Sequence, residues 1–557
     1  MDQGEVLDAL IWRFREGKIS RRQFMRAATM FGVAGAASAF LAACAPAASP
    51  SPSAPGSPSA PGLSPAATPT PSVAGPSGSV RFLVAETFWA DWHPFQTSAQ
   101  IAFRINQNIF DRLVEMETDD PGQLAPGLAT SWKQLDDRTW EFKLREGVRF
   151  HDGKGFTAED VKASVELASG AAGVKTVMAG YMVPTTGEVV DPHTVRLTTK
   201  EPYAPLLTLL GWYGINILSK SDIDAGDAKL KSAPNGTGPF RLVRDEKDRK
   251  AMEAFADHWR GAPAIKELVW EFIQDPQTRL SALLAGQATV IDRVPPEHLQ
   301  ALTGAPDVTL VSKTGMENVA LFMRPNPEAP WVDKNFRKAV AWSFDRDALV
   351  KDLILGASRV ATSFIPLLAR FHVDGDPHYT QDIARAKEFL AKSAYPDGGP
   401  EFELWAATGF QPRAKEVVEI IADGLRQTGL KPKIVTSDVA GLIDKIFIGE
   451  GRPYRMFHLS WSSTGDPDHA LRFLYKSPGI WSDGDPKVDQ LIDRGAASRD
   501  DQQRAAVYTE LQQYMWDQVL HVQLYHPDFT IAHSNRLTGL RVQPTFATYF
   551  YPASLAS

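Results

Sequence analysis

Cysteine is almost absent from this chain of 557 residues, in which Cys44 is the only one. A single thiol cannot form a disulfide within the chain, so no disulfide framework supports the fold. The sequence also has no run of about 20 apolar residues, the length that a membrane-spanning helix needs. It has no block of like charges of the kind found in interaction tails. These absences exclude a disulfide-stapled domain and a chain built from membrane spans.

Common enzyme motifs are missing as well. The sequence contains no Gly-x-Ser-x-Gly nucleophile elbow, no Walker-type phosphate loop and no His-Glu-x-x-His zinc motif. Gly236 and Gly238 resemble the start of a dinucleotide-binding loop, but Pro239 does not open a helix interior and Arg241 stands where that loop needs glycine. We interpret this stretch as a turn. We predict that the chain is not an enzyme and uses no cofactor.

Histidine forms no metal-binding pattern in the sequence. The 12 histidines are scattered along the chain. His521 and His526 are five residues apart on a predicted strand, so their side chains point to opposite faces. We predict no metal site.

Core-forming residues, by contrast, are plentiful. Hydrophobic residues make up 43% of the chain and charged residues 22%, and the formal net charge is -7. This balance is typical of a soluble globular protein. Because single cores stop growing at about 250–300 residues, the length predicts more than one domain. The mild acidity argues against nucleic acid as a partner, since phosphate binding needs a basic face.

The N-terminal segment is typical of an export address. Arg21 and Arg22, with Phe24 two places after the second arginine, resemble a twin-arginine signal, and a mildly apolar stretch follows at 27–41. The residues just before Cys44 resemble a lipobox. We predict that Cys44 carries a lipid anchor, because each buried methylene of an acyl chain contributes about 0.8 kcal/mol to membrane binding. The alternative is an uncleaved amphipathic N-terminus with an incidental cysteine.

Residues 44–78 have the composition of a spacer. They are mostly Ala, Pro, Ser, Gly and Thr, which cannot bury enough apolar surface to offset the entropy of ordering. The prolines favour extended backbone and give such a spacer a semi-rigid reach. We expect a soluble body that is tethered to the outer side of the cell membrane.

Strands and helices alternate in the body of the chain. Residues 139–144 alternate between apolar and polar side chains, as in a half-buried strand. A strand with a modest period of two is also expected where Val80, Phe82 and Val84 alternate with Ser79, Arg81 and Leu83. A helix is expected over about 99–114. Thr157 followed by Asp160 is typical of a helix N-cap with a capping box.

The second half is richer in helices. Asp333 is predicted to cap one helix, and others are expected near 383–392, 414–427 and 501–517. Strands are expected between them, at 403–406 and 431–435. This interleaving predicts α/β or α+β lobes rather than a barrel or a bundle.

A series of short motifs resembles bacterial extracellular solute-binding protein family 5, which serves peptide, dipeptide and nickel importers. The motifs occur in the family's order, and they are LAPGLATSW at 124–132, FKLREGVRFHDG at 142–153, TAEDV at 157–161, NGTGPF at 235–240, HWRG at 258–261, and FRKAV at 336–340 with Asp345 and Arg346. Most of these motifs are turns, caps and core positions, so they indicate the fold rather than the ligand.

The resemblance implies a two-lobed fold of the periplasmic-binding-protein kind, class II, in its large form with an inserted domain. The expected division is 1–43 signal peptide, 44–78 linker, 79–110 first part of lobe I, 111–230 inserted domain, 231–324 second part of lobe I, 325–522 lobe II and 523–557 last part of lobe I. It also implies a monomer that binds a solute in the cleft between the lobes. The closed form would dock on an ABC permease and its ATPase subunits.

The resemblance also indicates where the ligand lies. In peptide-binding relatives, an Asp about three residues after a cleft Trp pairs with the α-ammonium of the ligand, and an Asp-Pro pair follows. Here the stretch at 461–468 is WSSTGDPD, with Thr464 at the place of that first carboxylate. A buried ammonium without a charged partner is costly, so this departure counts against a free peptide.

Aromatic residues supply the other candidates for the cleft. The predicted ligand-binding residues are Glu86, Phe88, Trp89, Trp212, Tyr213, Trp405, Trp461, Ser463, Thr464 and Asp466. Packing in the core is the alternative for each ring, and helix capping is the alternative for Asp466. The predicted ligand is an oligopeptide or a modified peptide. An oligosaccharide or another polyhydroxylated solute is the second possibility, a nickel chelate or haem the third, and a secreted enzyme the distant alternative.

Overall fold

A computed structural model describes residues 76–86, 91–97, 99–117, 122–212, 214–408, 410–447 and 454–556. The predicted signal peptide at 1–43 and the predicted linker up to residue 75 lie outside the described residues. So do Arg21, Arg22, Phe24 and Cys44. In the part of the chain that the structure describes, no helix combines the length and the apolar character that a membrane span requires.

The strands are numbered in chain order. They are β1 Ser77–Val84, β2 Val114–Met116, β3 Leu124–Pro126, β4 Ala129–Gln134, β5 Thr139–Leu144, β6 Thr185–Asp191, β7 Thr194–Thr199, β8 Phe240–Glu246, β9 Arg249–Ala254, β10 Ile265–Phe272, β11 Val290–Asp292, β12 Val308–Thr314, β13 Glu317–Met323, β14 Ser358–Val360, β15 Phe402–Ala407, β16 Pro432–Ser437, β17 Arg455–Ser462, β18 Val522–Ser534, β19 Leu537–Thr538, β20 Arg541–Val542, β21 Thr548–Tyr549 and β22 Ser554–Leu555.

The α-helices are numbered in the same way. They are α1 Gln100–Asn106, α2 Ala158–Ala168, α3 Leu206–Gly211, α4 Lys220–Asp224, α5 Asp227–Ser232, α6 Pro276–Leu284, α7 Pro296–Thr303, α8 Lys334–Ala341, α9 Arg346–Ala348, α10 Ile383–Ala391, α11 Ala414–Thr428, α12 Val439–Phe447, α13 Asp468–Tyr475, α14 Pro486–Ala497 and α15 Asp501–Gln518.

One large mixed sheet organises the body of the protein. Its strands run in the order β16-β15-β17-β13-β18-β11-β1-β10-β9-β8, and β12 and β14 also pair with β18. The long strand β18 links the two halves of this sheet. Its first residues, Val522 to Tyr525, pair with β13, whereas Ile531 to His533 pair with β11. We call β1 and β8–β12 with their helices lobe I, and β13–β17 with theirs lobe II.

The chain passes between the lobes at two places. One is the turn at 315–316 between β12 and β13, and the other is the middle of β18 near Pro527, where the pairing changes from lobe II to lobe I. The predicted boundaries at 324 and 522 remain predictions. The pairing of β13 with β17 favours a boundary nearer to residue 316, because all of β13 belongs to the sheet of lobe II.

A separate four-stranded sheet lies between β1 and β8 in the sequence. Its order is β4-β5-β7-β6, and α2 packs against β6 and β7. We call this sheet, with the helices up to α5, the insert. The predicted capping box is present at the start of α2, where the Thr157 backbone N–H donates to Asp160 Oδ2 at 2.8 Å.

The core explains why β1 is apolar on both faces. Val80, Phe82 and Val84 belong to the main hydrophobic cluster, whereas Leu83 packs in a second cluster with Ile291 on the other side of lobe I. A parallel strand with both faces covered has this character. β1 therefore lies in the centre of lobe I.

Most predicted elements are present, and one differs. The predicted strand at 139–144 and the predicted helix at 414–427 correspond to β5 and α11, and Asp333 caps α8 by accepting from the Asn335 N–H at 2.7 Å. The helix expected over 99–114 ends at Asn106. Beyond it, the backbone carbonyl of Ile109 accepts from the Gly238 N–H at 2.8 Å and cannot serve a helix.

The stretch interpreted as a turn is packed against this same segment. A Cβ atom on Gly236 would lie 2.0 Å from the Ile109 carbonyl oxygen, so only glycine allows the close approach. Thr237 Oγ1 donates to Asp111 Oδ2 at 2.9 Å. The two glycines therefore allow the turn before β8 to pack closely on the segment that follows α1.

Candidate functional site

The carboxyl ends of β1, β10 and β11 lie on one edge of lobe I, because β1 is parallel to both neighbours. Glu86 comes two residues after β1, and Arg293 comes directly after β11. In open α/β sheets, ligands bind in the crevice outside the carboxyl ends of the strands. This edge is therefore the place in lobe I where a binding site is expected.

A buried ion pair fixes the backbone at this edge. Arg104 Nη1 of α1 lies 2.6 Å from Asp292 Oδ2, and neither side chain is exposed. Asp292 Oδ1 accepts from the Ala85 N–H at 2.9 Å. Although burial opposes ionisation, the nearby guanidinium groups keep the pKa of Asp292 below its ordinary value. Asp292 thus positions the residue next to Glu86.

Lobe II meets this edge with the end of one strand and the start of another. Ser460, Trp461 and Ser462 end β17, and Glu317 begins β13 opposite Ser462 in the antiparallel register. Glu317 Oε1 accepts from Gln411 Nε2 at 3.2 Å, and the same amide donates to Ser460 Oγ at 2.7 Å. The carboxylate of Glu317 is thereby held at the cleft.

The insert and α13 supply an aromatic wall. The ring of Tyr181 stacks on Phe473 with centroids 4.0 Å apart and on His469 at 4.6 Å. Trp212 meets the His469 ring edge-on at 4.2 Å, and Trp461 stacks on Phe473 at 5.2 Å. Aromatic packing of this kind holds the rings rigidly in place.

These groups enclose an inner cavity of about 80 Å³ between lobe I, lobe II and the insert. The residues that line it are Glu86, Ala99, Gln100, Phe103, Tyr181, Trp212, Glu317, Phe410, Val439, Ile443, Leu459, Ser460, Trp461, Ser462 and His469. Its wall is therefore mostly aromatic and apolar, with a few polar groups, as is typical of small-molecule sites.

Both carboxylates of the inner cavity are buried, and one oxygen of each is unpaired. Glu86 Oε2 and Glu317 Oε2 have no hydrogen-bond partner among the described residues. Burial raises the pKa of Glu86 to about 7, against the opposing charges of Arg293 and Arg104. Burial also raises the pKa of Glu317. An unpaired buried carboxylate is costly, which makes these two groups the most informative feature of the cavity.

Arg293 lies close behind these carboxylates without lining the inner cavity. Its φ of 47° is unusual for a residue with a side chain. Nη2 donates to Gln100 Oε1 at 3.1 Å, and the guanidinium lies 4.5 Å from the centre of the Phe410 ring. The amide and the ring hold this charge to one side of the cavity.

His469 adds an imidazole to the polar groups of the wall. Neither of its ring nitrogens has a hydrogen-bond partner in the part of the chain that the structure describes. Burial lowers its pKa to about 3, so the imidazole is neutral at physiological pH. A neutral imidazole offers a ligand one N–H donor and one acceptor.

An outer cavity of about 730 Å³ lies beside the inner one. The two share Ile443, and Phe473 lines the outer cavity while it stacks on Tyr181 and Trp461 of the inner one. Phe473 therefore stands between the two spaces. Together they offer room for a polar head in the inner cavity and a longer body in the outer one.

Hydrogen bonds and an ion pair connect lobe I with lobe II across the cleft. Gln100 Nε2 donates to Ser462 Oγ at 2.7 Å, and Gln274 Nε2 donates to the Thr408 carbonyl at 2.8 Å. At the rim, Arg413 Nη2 lies 3.2 Å from Glu297 Oε2. The lobes are thus in contact around the inner cavity.

The structure brings some of the predicted site residues together. Glu86, Trp212 and Trp461 line the inner cavity. Phe88, Trp89 and Tyr213 lie outside the described residues.

Other predicted residues lie elsewhere. Trp405 on β15 donates from Nε1 to Glu403 Oε2 at 2.7 Å and is not among the residues that line the cavity. Ser463 and Thr464 are buried beyond the end of β17, where Thr464 Oγ1 donates to the Asp466 carbonyl at 3.1 Å.

Asp466 forms an ion pair with an arginine of the protein itself. Its Oδ2 lies 2.8 Å from Arg504 Nη2, and its Oδ1 accepts from the Asp468 N–H at 3.1 Å, at the start of α13. Both side chains of the ion pair are buried. The geometry favours the capping alternative for Asp466, and we do not include it in the proposed site.

Sequence reasoning missed Glu317, Gln100, Tyr181 and His469, which all line the cavity. Glu317 could have been noticed, because it is a carboxylate that opens an otherwise apolar strand of sequence ENVALFM. The other three carry no such signal, since they come from separate elements that only the fold brings together.

The lining of the cavity determines which groups the site offers to a ligand. In the ranges that the structure describes, no group of three or more His, Cys, Asp or Glu side chains is arranged to hold a metal ion. The site offers two carboxylates, a neutral imidazole, serine hydroxyls and aromatic faces.

Comparison with known proteins agrees with this geometry. The family profile described as "Bacterial extracellular solute-binding proteins, family 5 Middle" matches residues 123–482, more than half of the chain. This chain belongs to that family. The match confirms the resemblance drawn from the motifs.

Curated relatives and solved structures extend the comparison. The chain is 26% identical over 476 residues to the glutathione-binding protein GsiB of Shigella dysenteriae, covering 83% of this chain and 92% of the relative. A dipeptide-binding protein from Pseudoalteromonas sp. SM9913 in complex with Met-Leu matches with a TM-score of 0.77 at 20% identity, covering 86% of this chain and 100% of that one. The protein DppA from Helicobacter pylori, in complex with the peptide STSA, matches with a TM-score of 0.77 at 21% identity, covering 86% and 98%. These matches confirm the two-lobed α/β fold of periplasmic binding proteins.

Proposed function

We propose that this protein captures a peptide-like solute outside the cytoplasm and delivers it to the permease of an ABC importer. The inner cavity between the lobes carries the proposal, because Glu86 Oε2, Glu317 Oε2 and both ring nitrogens of His469 are buried in its wall without a hydrogen-bond partner among the described residues. One relative is named as a glutathione-binding protein, and two of the similar structures contain short peptides, which supports a ligand of this class. The protein itself catalyses nothing.

The proposed site consists of Glu86, Trp212, Glu317, Trp461 and His469, which come from lobe I, lobe II and the insert. A ligand that contacts lobe I, lobe II and the insert at the same time is bound more tightly when the lobes are closed. Closure of the lobes about the crossings at 315–316 and near Pro527 would then follow ligand binding. The permease would recognise the closed form.

The N-terminal part of the proposal concerns anchoring. Export through the twin-arginine motif and lipidation of Cys44 would tether a monomer to the outer side of the cell membrane by the spacer at 44–78. Replacement of Cys44 by serine should release the protein into the soluble fraction, where fractionation would detect it.

Isothermal titration calorimetry with free di- to pentapeptides tests the proposed function. We expect at least one of these peptides to bind with a single site per chain, and a peptide at 100 times its Kd to stabilise the fold by about 2.7 kcal/mol. Trp461→Ala should weaken binding by at least about tenfold, because it removes a ring from the cavity wall.

Trp405→Ala is the matched control, because this tryptophan also belongs to a strand of lobe II but is not among the residues lining the cavity. It should keep the affinity within a few-fold of the wild type. Equal losses in the two variants would contradict the assignment of the site. No binding of any peptide by the wild type would contradict the peptide-like ligand.

A further inference from the structure

Two carboxylates converge on the inner cavity, one from each lobe. Glu86 follows β1 of lobe I, and Glu317 begins β13 of lobe II. The exposed fraction is 3% for Glu86 and 2% for Glu317. Each has an oxygen, Oε2, without a hydrogen-bond partner in the described part of the chain. Buried carboxylate oxygens almost always have a hydrogen-bond partner. For these two oxygens, a group of the ligand would be that partner.

The described lining contains no basic side chain to neutralise this pair. Among the lining residues that the structure describes, Glu86 and Glu317 are the acidic groups, burial raises the pKa of both, and the imidazole of His469 is neutral at physiological pH. Two guanidinium groups act on these carboxylates: Arg104 forms an ion pair with Asp292, whereas Arg293, which contacts the neutral Gln100 and Phe410, offsets part of their charge. Two carboxylates thus share the charge of one guanidinium. The interior of the cavity is therefore set for positive charge.

The uncharged part of the lining also suits a cation. Phe103, Tyr181, Trp212, Phe410 and Trp461 present aromatic faces or edges to the space. A cation within about 6 Å of a ring centroid is attracted by the quadrupole of the ring, by about 2 kcal/mol or more when the site is desolvated. A lining that combines carboxylates with aromatic rings is of the kind that recognises amines.

We infer that the inner cavity recognises a positively charged nitrogen of the solute, an ammonium or a related amine cation, through Glu86 and Glu317. This inference rests on the proposed function and names the group that the site reads. It also explains how a member of this family can dispense with a carboxylate at Thr464, since two carboxylates stand ready elsewhere in the cleft.

The inference makes binding depend on pH in a defined direction. Burial raises the pKa of Glu86 to about 7; the charges of Arg293 and Arg104 oppose this shift, and those of Asp292 and Glu317 add to it. A cation requires the ionised form of Glu86. The ionised fraction rises about tenfold between pH 6 and pH 8, so the affinity for a cationic solute should rise about tenfold over this range.

Thermal-shift and calorimetric titrations of the full chain at pH 6 and pH 8 test this inference. The probes are trialanine, N-acetyltrialanine, putrescine, glutarate and cellobiose. We expect trialanine or putrescine to bind, more tightly at pH 8, and N-acetyltrialanine to bind at least tenfold more weakly than trialanine. Glu86→Gln and Glu317→Gln should each weaken the binding of the cationic probe by about tenfold or more, and Glu86→Gln should also remove its pH dependence.

Glu253→Gln is the matched control, because Glu253 is a half-exposed partner of Arg241 on β9, away from the cleft. It should leave the titrations unchanged. Binding of glutarate or cellobiose alone, or equal binding of trialanine and its acetylated form, would overturn the cation inference while leaving solute capture in place. A failure of every probe at both pH values would count against solute capture itself.

Discussion

Replacement of Asp292 by asparagine should lower the free energy of unfolding by about 3–5 kcal/mol at pH 7. Asp292 is the ion-pair partner of Arg104 at 2.6 Å, and both side chains are fully buried. Arg104 Nε and Nη2 have no other hydrogen-bond partner among the described residues. The substitution would therefore leave a buried guanidinium without a counter-charge, which is the costly way to break such a pair.

The pH dependence of this penalty has a definite sign. The pKa of Asp292 is held below its ordinary value of 3.8, so the native state favours the ionised form. The stabilisation is complete at neutral pH and is lost as the pH falls below about 4 toward the pKa in the folded protein. The difference between wild type and Asp292→Asn should therefore shrink on acidification. Denaturant unfolding at pH 7 and at pH 3.5 measures it.

Asp517→Asn is the control for this substitution. Asp517 is half-exposed and pairs with Lys334 at 2.6 Å and with Lys338 at 3.0 Å. Exposed ion pairs contribute at most about 1 kcal/mol, so this variant should unfold almost as the wild type does. A loss of less than about 1 kcal/mol for Asp292→Asn would show that the edge of lobe I does not depend on the buried pair.

Replacement of Glu86 by glutamine should have the opposite effect and stabilise the protein without ligand. Burial raises the pKa of Glu86 from 4.5 to about 7, which means that the ionised form is unfavourable in the folded state. A shift of this size corresponds to roughly 3 kcal/mol at pH 8, where the wild-type carboxylate is ionised in both states. A neutral amide of similar shape avoids this cost.

The size of this gain depends on pH in a way that a mere packing effect would not. The folded state binds more protons than the unfolded state between about pH 4.5 and pH 7, so wild-type stability falls as the pH rises through this window. The advantage of Glu86→Gln should be absent at pH 4, grow through the window and be constant above it. Thermal unfolding of both proteins over this range, with Glu253→Gln as control, measures the difference. An advantage of the same size at every pH would contradict the explanation.

Asp292 and Glu86 have opposite effects on stability at the same edge of the lobe I sheet. Asp292 is paired and stabilises the fold, whereas Glu86, two residues after β1, keeps an unpaired oxygen at some cost to stability. Proteins often accept such a loss at functional sites, where activity needs groups that the fold alone would not place there. In the inferred complex, a cationic group would offset the cost of burying the Glu86 carboxylate.

Local elements were predictable from the sequence because their causes are local. The alternation at 139–144 and the capping box of Thr157 and Asp160 are set by neighbouring residues, and β5 and the start of α2 agree with them. The early end of α1 was not predictable. Beyond Asn106, the side chain of Asn108 donates to the Arg104 carbonyl at 3.1 Å, a local bond that competes with helix formation. The Ile109 carbonyl is taken by a turn more than a hundred residues away.

The binding site was predictable only in part, for a related reason. Glu86, Trp212 and Trp461 stand out in a sequence, and all three line the inner cavity. Asp466 stands out as well, but its partner is Arg504 on a helix that follows much later in the chain. The partners of a polar group decide whether it is free for a ligand, and those partners come from tertiary structure.

A crystal structure of this protein with a bound solute would show directly whether the nitrogen cation of the solute contacts Glu86 and Glu317. The solute that binds most tightly in the titrations would be used, at pH 8. We expect its nitrogen cation to lie in the inner cavity, within hydrogen-bond distance of Glu86 and Glu317. The Trp461 ring should contact this cation. A solute that does not contact both lobes, or that does not enter the inner cavity, would contradict this binding mode.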